Sequence, residues 1–194
     1  MVATAILPNE IRTADDFFDF CQQPHLRDKR IEQTKNGKII IMEPTGGETG
    51  SFNSEVNGEV RNWNRETHEG RTFDSSTVFV LPDTSKRSPD VSWIVKERWE
   101  ALPKELRKKF PPLTPDFVIE IRSESDSLTQ LKDKMEDYMR NGCRLGWLID
   151  RKTERTHIYR ADGSRETVNS FEETLSGEDV LKGFKLRIAD LDWE

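Results

Sequence analysis

Two carboxylates occupy apolar segments in which an acidic side chain is costly to bury. Glu120 lies in the run Asp116-Phe-Val-Ile-Glu-Ile-Arg122, which is apolar on both faces when read with the two-residue period of a strand. Such a run is typical of a central strand covered on both sides, where a carboxylate must be paired or bound to a metal ion. Asp90 follows a proline and begins a second apolar strand, Val91–Val95. Both acids are of the type that binds Mg²⁺, which prefers hard oxygen ligands.

Each acid also has a structural explanation that the sequence leaves open. Glu120 could form an ion pair with Arg122, which lies on the same face of the strand, or with a lysine of the next helix. The Pro-Asp step at Asp90 is common in turns and caps. A catalytic and a structural role are therefore both compatible with the pattern.

The helix that follows Glu120 supplies a candidate lysine. Asp126 or Ser127 caps this helix, which is predicted to run to about Asn141. Lys132 and Lys134 border its apolar stripe on opposite edges, so periodicity does not choose between them. Solvated lysines whose stems lie along the core are the commoner case. A lysine beside a metal site could instead orient a water molecule or stabilise negative charge that develops on a phosphate.

Other kinds of chemistry lack their signatures. The three histidines form no HExxH or nucleophile-elbow motif, and no GxxxxGK[ST] or GxGxxG motif occurs. The glycine-rich segment 45–50 has no following lysine and is predicted to be a mobile loop. Cys21 and Cys143 form no CxxC pair, which excludes a disulfide scaffold and a cysteine zinc site and predicts a reducing cytoplasm.

The elements that must position these residues form a single mixed α/β or α+β domain. Thr13 is expected to cap an N-terminal helix, and Asn36-Gly37 favours a tight hairpin turn between residues 30–34 and 38–42. A longer helix is predicted from Ser51 to about Glu66, followed by short strands, a helical stretch interrupted at Pro103, and further strands. This order predicts a sheet flanked by helices.

Three segments together resemble a known protein family. They are Arg87–Trp93 (RSPDVSW), Pro115–Ser127 (PDFVIEIRSESDS) and Lys134–Asp150 (KMEDYMRNGCRLGWLID). Their order and spacing are similar to those of the Uma-two family of restriction endonuclease-like proteins, which is abundant in cyanobacteria and belongs to the PD-(D/E)XK nuclease superfamily. The resemblance runs from about residue 31 to 191. It implies a restriction-endonuclease-like fold, with a mixed central β-sheet flanked by helices, and cleavage of DNA with Mg²⁺ or Mn²⁺.

The resemblance also implies which residues would form the site. Asp90 and Glu120 match the two superfamily acids and would bind the metal ion. The superfamily lysine should stand two residues after the second acid, but this chain has Arg122 there, which could clamp a phosphate oxygen or simply hold Glu120. In this family the lysine is thought to have moved to the following helix, which indicates Lys134 rather than Lys132. Glu55 on the preceding helix is the best match for a third acid that binds the metal, and Glu59 is the fallback.

The charge of the chain bears on a nucleic-acid partner. The formal net charge is −6, which argues against a nonspecific nucleic-acid coat protein. Basic residues nevertheless cluster: eight Lys/Arg stand against four acids between residues 85 and 109, and smaller clusters contain Arg27, Lys29 and Arg30 or lie at 151–155. Because phosphate attraction needs only a local positive field, Arg87 and residues 107–109 are expected DNA contacts. Superfamily members that cut duplexes often pair, so a homodimer is a further expectation.

Overall fold

The computed structural model describes residues 3–5, 11–42 and 44–192 of the chain. Within them lie five α-helices, thirteen short strands and one 3₁₀ turn, Ile188–Asp190. The helices are α1 Ala14–Cys21, α2 Gly47–Thr67, α3 Lys96–Ala101, α4 Lys104–Arg107 and α5 Leu128–Arg140. The strands are β1 Ala3–Ala5, β2 Arg30–Gln33, β3 Ile39–Met42, β4 Gly70–Asp74, β5 Phe79–Val80, β6 Lys86–Arg87, β7 Val91–Val95, β8 Phe117–Arg122, β9 Leu145–Asp150, β10 Arg155–Arg160, β11 Arg165–Val168, β12 Thr174–Ser176 and β13 Lys185–Arg187.

The larger sheet has six strands in the order β11-β10-β9-β8-β7-β4. Strand β8 lies inside it, antiparallel to β7 and parallel to β9, so the sheet is mixed. Its position explains why the β8 sequence is apolar on both faces: α2 covers one face and α5 covers the other. The prediction of a mixed central sheet flanked by helices is confirmed.

Alternation along β8 sends its side chains into two separate cores. Phe117, Ile119 and Ile121 pack in the cluster that contains the apolar stripe of α2. Val118 packs in the cluster that contains Met135 and Tyr138 of α5. Glu120 therefore lies on the α5 side of the sheet, because side chains two residues apart share a face.

A second sheet, in the order β1-β3-β2-β6-β5, carries the predicted hairpin. Strands β2 and β3 are antiparallel, and Gly37 in their turn has φ +81°, which a residue with a Cβ rarely adopts.

The predicted cap of α1 is also confirmed. The hydroxyl of Thr13 accepts a hydrogen bond from the amide of Asp16, and the Asp16 carboxylate accepts one from the Thr13 amide, which forms a capping box.

The glycine-rich loop prediction is wrong for residues 47–50, which form the first turn of α2. Gly46 is the N-cap, and Glu48 in the first turn is favoured by the helix dipole. The apolar stripe of α2 starts only at Phe52, so hydrophobic periodicity could not locate the earlier start. The break at Pro103 and the cap of α5 by Ser127 are confirmed. Among the described residues, no helix is long and apolar enough to cross a membrane.

Candidate active site

Asp90 and Glu120 lie opposite each other on the neighbouring chain segments of β7 and β8. Val91 of β7 pairs with Ile119 of the antiparallel strand β8. Asp90, which precedes Val91, therefore lies opposite Glu120, which follows Ile119. The Oδ2 atom of Asp90 accepts a hydrogen bond from the backbone amide of Ile121 at 2.8 Å, which fixes this carboxylate against β8. Relative exposures of 7% for Asp90 and 2% for Glu120 show that both acids are buried.

Lys134 of α5 joins the same cluster. Its Nζ lies 2.8 Å from Oε1 of Glu120 and donates to the backbone carbonyl of Ser88 at 3.2 Å. The hydroxyl of Tyr138, one helical turn further on, donates to the same Glu120 oxygen at 3.0 Å. Lys132 forms no ion pair with an acid within the described ranges. The structure therefore brings Lys134, not Lys132, to Glu120.

The hairpin strand β2 contributes two residues that the sequence analysis did not assign to the site. Arg30 lies 2.6 Å from Oδ1 of Asp90 through Nη1 and donates to the Ser88 carbonyl through Nη2. Glu32 lies 2.7 Å from Nζ of Lys134 through Oε1. Glu32 also accepts hydrogen bonds from the Ser88 amide at 3.0 Å and from Arg87 at 3.1 Å.

Strand alternation explains how β2 reaches the site. Arg30 and Glu32 are two residues apart and share a face, while Ile31 between them packs in a separate apolar core. The sequence carries only a charged-apolar-charged triplet, which is equally typical of an exposed strand face. The prediction that Arg30 belongs to a basic cluster with Arg27 and Lys29 is therefore wrong. The Arg30 guanidinium lies against Asp90 and does not form a surface patch.

The two glutamates that share Lys134 have opposite pKa shifts. Burial raises the pKa of Glu120 to about 7; Lys134 opposes this rise, and Asp90 and Glu32 add to it. Burial acts in the same direction on Glu32, but the positive charges of Lys134, Arg87 and Arg30 outweigh it and hold its pKa at about 2. Glu32 is thus the firmly ionised partner of Lys134, and Glu120 is the carboxyl that can take up a proton near neutral pH.

Arg122 lies on the same strand as Glu120 but pairs elsewhere. Its Nη1 donates to both oxygens of Asp150 on β9, at 3.1 and 2.9 Å, as the pairing of β8 with β9 places them side by side. Its Nε donates to the carbonyl of Asp126 at 3.3 Å. Among the described residues Arg122 forms no ion pair with Glu120, so the alternative of a Glu120–Arg122 pair is wrong.

A polar cavity of about 420 Å³ opens beside Asp90. One wall is a face of α2 that includes Asn57 and Arg61, and another is the turn 74–76 after β4. Neither Glu55 nor Glu59 lines this cavity. Successive helical residues are about 100° apart, which turns both glutamates away from the face carrying Asn57 and Arg61.

The expected three-acid metal site is not assembled in the described part of the chain. No group of three His, Cys, Asp or Glu residues there is placed to hold a metal ion. The structure brings Asp90 and Glu120 together and leaves Glu55 outside their cluster. Glu32 is the third acid of the cluster, but Arg87, Lys134 and the Ser88 amide already occupy its oxygens.

The donor atoms nevertheless fit one hard cation held by two carboxylates. Oε2 of Glu120 has no hydrogen-bond partner among the described residues, and each oxygen of Asp90 has one. Mg²⁺ is commonly bound by one or two carboxylates, with water and substrate phosphate completing its shell. Such a cation would have to displace the guanidinium of Arg30 from Asp90.

The predicted basic surface around residues 85–109 is largely neutralised. Arg87 is buried between Glu32 and Asp137, which corrects its expected role as a surface phosphate contact. At the other end of the segment, Lys109 pairs with Asp15, and Lys108 pairs with Glu105. The excess of positive charge in the sequence therefore does not form a continuous positive surface.

Comparison with known proteins bears on both the fold and the family. The family model Uma2, described as "Putative restriction endonuclease", matches residues 14–189. One similar solved structure is titled as "a putative nuclease belonging to DUF820" from Anabaena variabilis. It is 22% identical, has a TM-score of 0.75, and the match covers 93% of this chain and 97% of that chain. At this identity the likeness shows the fold. No curated protein matches the chain.

Proposed function

The chain belongs to the Uma2 family, and we propose that it is a metal-dependent endonuclease that hydrolyses DNA phosphodiester bonds. Family and fold together support a nuclease-like function. One observation carries the finer proposal: Asp90 before β7, Glu120 of β8 and Lys134 of α5 meet in one buried cluster beside a polar cavity. A purely structural ion pair would account for Glu120 and Lys134, but it would not explain why a cavity opens at Asp90.

In this proposal Asp90 and Glu120 hold the metal ion. When bound, Mg²⁺ supplies a Lewis acid that neutralises phosphate charge and lowers the pKa of a bound water molecule. The metal identity follows from the carboxylate oxygens, which suit Mg²⁺ or Mn²⁺. Glu120 would bind as the ionised carboxylate, through the oxygen that Lys134 and Tyr138 leave unoccupied.

Lys134 would position the attacking water or neutralise charge that develops on the phosphate. Its Nζ is held by Glu32, Glu120 and the Ser88 carbonyl, so its geometry is fixed before the substrate arrives. Glu32 acts as a positioning residue in this scheme, because it contacts Lys134 and the backbone that leads into Asp90. Arg122 is removed from direct chemistry by its pairing with Asp150 and would support the strand that carries Glu120.

Cleavage of supercoiled plasmid tests the proposal directly. We expect the wild-type protein with Mg²⁺ to produce nicked and linear DNA, and excess EDTA to stop the reaction. A folded protein that leaves the plasmid intact with both Mg²⁺ and Mn²⁺ would contradict the assignment.

A homodimer is part of the same proposal, since cutting both strands of a duplex is simplest with two copies of the protein. Light scattering measures the mass of the protein in solution and so tests for the dimer.

A second candidate is a catalytically inactive nuclease fold that binds nucleic acid or protein. The specific observation in its favour is that both acids already form ion pairs within the protein, Asp90 with Arg30 and Glu120 with Lys134. This alternative predicts no heat of Mn²⁺ binding by titration calorimetry and DNA binding that is unaffected by Asp90→Ala. The endonuclease proposal predicts Mn²⁺ binding that requires Asp90.

Arg30 gives a further prediction about metal affinity. Because its guanidinium lies 2.6 Å from Oδ1 of Asp90, it competes with any cation for that carboxylate. We expect Arg30→Gln to strengthen Mn²⁺ binding by about tenfold to a hundredfold, since a charge-assisted hydrogen bond contributes roughly 1.5–3 kcal/mol. Titration calorimetry measures the change. Arg122→Gln, which removes an arginine from the same neighbourhood but not from Asp90, serves as the control and is expected to leave the affinity within about twofold. Unchanged or weaker binding by Arg30→Gln would contradict the competition.

A further inference from the structure

The cavity beside Asp90 is continuous with the proposed active site. Asp90 itself lines it, and another wall is the turn that contains Ser75 and Ser76. This turn is tied to the segment that leads into Asp90, because the hydroxyl of Ser88 donates to the carbonyl of Ser75 at 2.5 Å. It is also closed on itself, since the amide and hydroxyl of Ser76 both donate to Oδ1 of Asp74. The wall is therefore a fixed part of the site.

The α2 face of the cavity is polar, and its side chains have no hydrogen-bond partners within the part of the chain that the structure describes. Asn53, Ser54, Asn57 and Arg61 line it, and within the described ranges their side chains form no hydrogen bond or ion pair. The Oδ1 atom of Asn53 is fully buried and yet accepts no hydrogen bond from the described residues. Buried polar atoms are rarely left without a partner, so this face carries hydrogen-bonding capacity that the described residues do not use.

Gly58 lies on the same face in the middle of α2. A glycine inside a helix lowers stability relative to alanine, so its presence needs a reason. Packing within the protein does not supply one: a Cβ built at Gly58 would meet no atom within 4 Å, and its φ is not in the left-handed region. Gly58 keeps the cavity open at a point where the helix backbone meets it.

We infer that this cavity holds one nucleotide of the substrate strand, next to the phosphate that Asp90 and Glu120 would act on. The guanidinium of Arg61 is a phosphate ligand, and the amides of Asn53 and Asn57 both donate and accept, as the edges of bases require. Gly58 admits the close approach of the sugar-phosphate backbone. The inference rests on the proposed function, since it names the part of that site which binds the strand.

Two substitutions with matched controls on the same helix test it. Arg61→Ala removes the phosphate ligand, and Arg65→Ala removes an equally exposed arginine one turn away that does not line the cavity. Gly58→Leu fills the cavity while favouring the helix, and Asn62→Leu adds the same side chain at a position off the cavity. Thermal unfolding of each variant is measured first. Gly58→Leu is expected to be at least as stable as the wild type.

Binding is then measured by fluorescence anisotropy in Ca²⁺, with a fluorescein-labelled DNA duplex. We expect Arg61→Ala and Gly58→Leu to weaken binding about tenfold or more, and both controls to stay within about twofold. Arg61→Ala should also reduce the slope of log affinity against log salt by about one. Weaker binding by a more stable Gly58→Leu protein cannot be a folding defect.

The outcomes separate this inference from the proposed function. If the wild type cleaves plasmid with Mg²⁺ but Arg61→Ala and Gly58→Leu bind the duplex as tightly as their controls, the cavity does not hold the strand and the endonuclease assignment stands. If all four variants weaken binding equally, the effect is general to α2 and the inference is again overturned. If the folded wild-type protein neither binds nor cleaves DNA, both are overturned.

Discussion

Replacing Glu120 by glutamine is expected to stop DNA cleavage while making the fold more stable at pH 8. Glutamine keeps the shape of the side chain and its contacts to Lys134 and Tyr138, but it carries no charge to hold a metal ion. Loss of a metal that supplies several kcal/mol of transition-state stabilisation lowers the rate by roughly a thousandfold or more. The rate of conversion of supercoiled plasmid at saturating Mg²⁺ measures the change.

The stability gain of Glu120→Gln follows from the raised pKa of the wild-type side chain. Burial raises the pKa of Glu120 from 4.5 to about 7. Between these pH values the unfolded chain releases the proton and the folded chain keeps it, so the wild type loses stability as the pH rises from about 4.5 to about 7. Glutamine does not titrate. Its advantage in free energy of unfolding should therefore grow over this window and level off above pH 7, at roughly 3 kcal/mol.

Urea unfolding of both proteins at pH 5 and pH 8 tests this sign. Glu136→Gln is the matched control, because its carboxylate is partly exposed and pairs with Arg165 on the same side of the sheet. It should cleave as the wild type does and change stability by no more than about 1 kcal/mol. A Glu120→Gln protein that still cleaves plasmid, or that is less stable than the wild type at pH 8, would refute the role assigned to Glu120.

The strands that carry the candidate acids were predictable because burial leaves a clear pattern in the sequence. An apolar run on both faces indicates a central strand, and the single carboxylate in it, Glu120, is conspicuous for that reason. The choice between Lys132 and Lys134 was not determined by periodicity, since both border the apolar stripe of α5. The resemblance indicated Lys134, and only the packing of α5 on the sheet shows which lysine meets Glu120.

The partners of these acids were not predictable, because they come from distant parts of the chain. Arg30 and Asp90 are sixty residues apart, and the docking of the hairpin on the site leaves no local signal. The third acid was expected on α2, since the resemblance matched Glu55. The apolar stripe fixes which face of α2 meets the sheet, but the sequence does not tell which flank of that stripe faces Asp90. The cavity lies on the flank that carries Asn57, not on that of Glu55.

Glu32 is the residue whose loss should destabilise the protein most. It is buried against Arg87, Lys134 and the Ser88 amide, and these contacts connect the hairpin sheet to α5 and to the segment before Asp90. Removing one partner of a buried charge network leaves the other charges uncompensated, which typically costs about 3–5 kcal/mol. We expect Glu32→Ala to lose that much free energy of unfolding at pH 7, measured by urea denaturation. Glu105→Ala, which breaks an exposed pair with Lys108, should lose less than about 1 kcal/mol.

Two further measurements separate a charge network from simple packing at Glu32. Because Lys134, Arg87 and Arg30 hold the pKa of Glu32 at about 2 against the effect of burial, its stabilisation is complete above pH 4.5 and is lost as the pH falls towards 2. The difference between wild type and Glu32→Ala should shrink over that range, whereas a lost packing contact would give a constant difference. Arg87→Met should in turn cost less in the Glu32→Ala background than in the wild type, by roughly 0.5–3 kcal/mol, because the Arg87 charge then lacks its buried partner Glu32. Additive effects and a pH-independent loss would show that Glu32 fills space without organising the charges around Lys134.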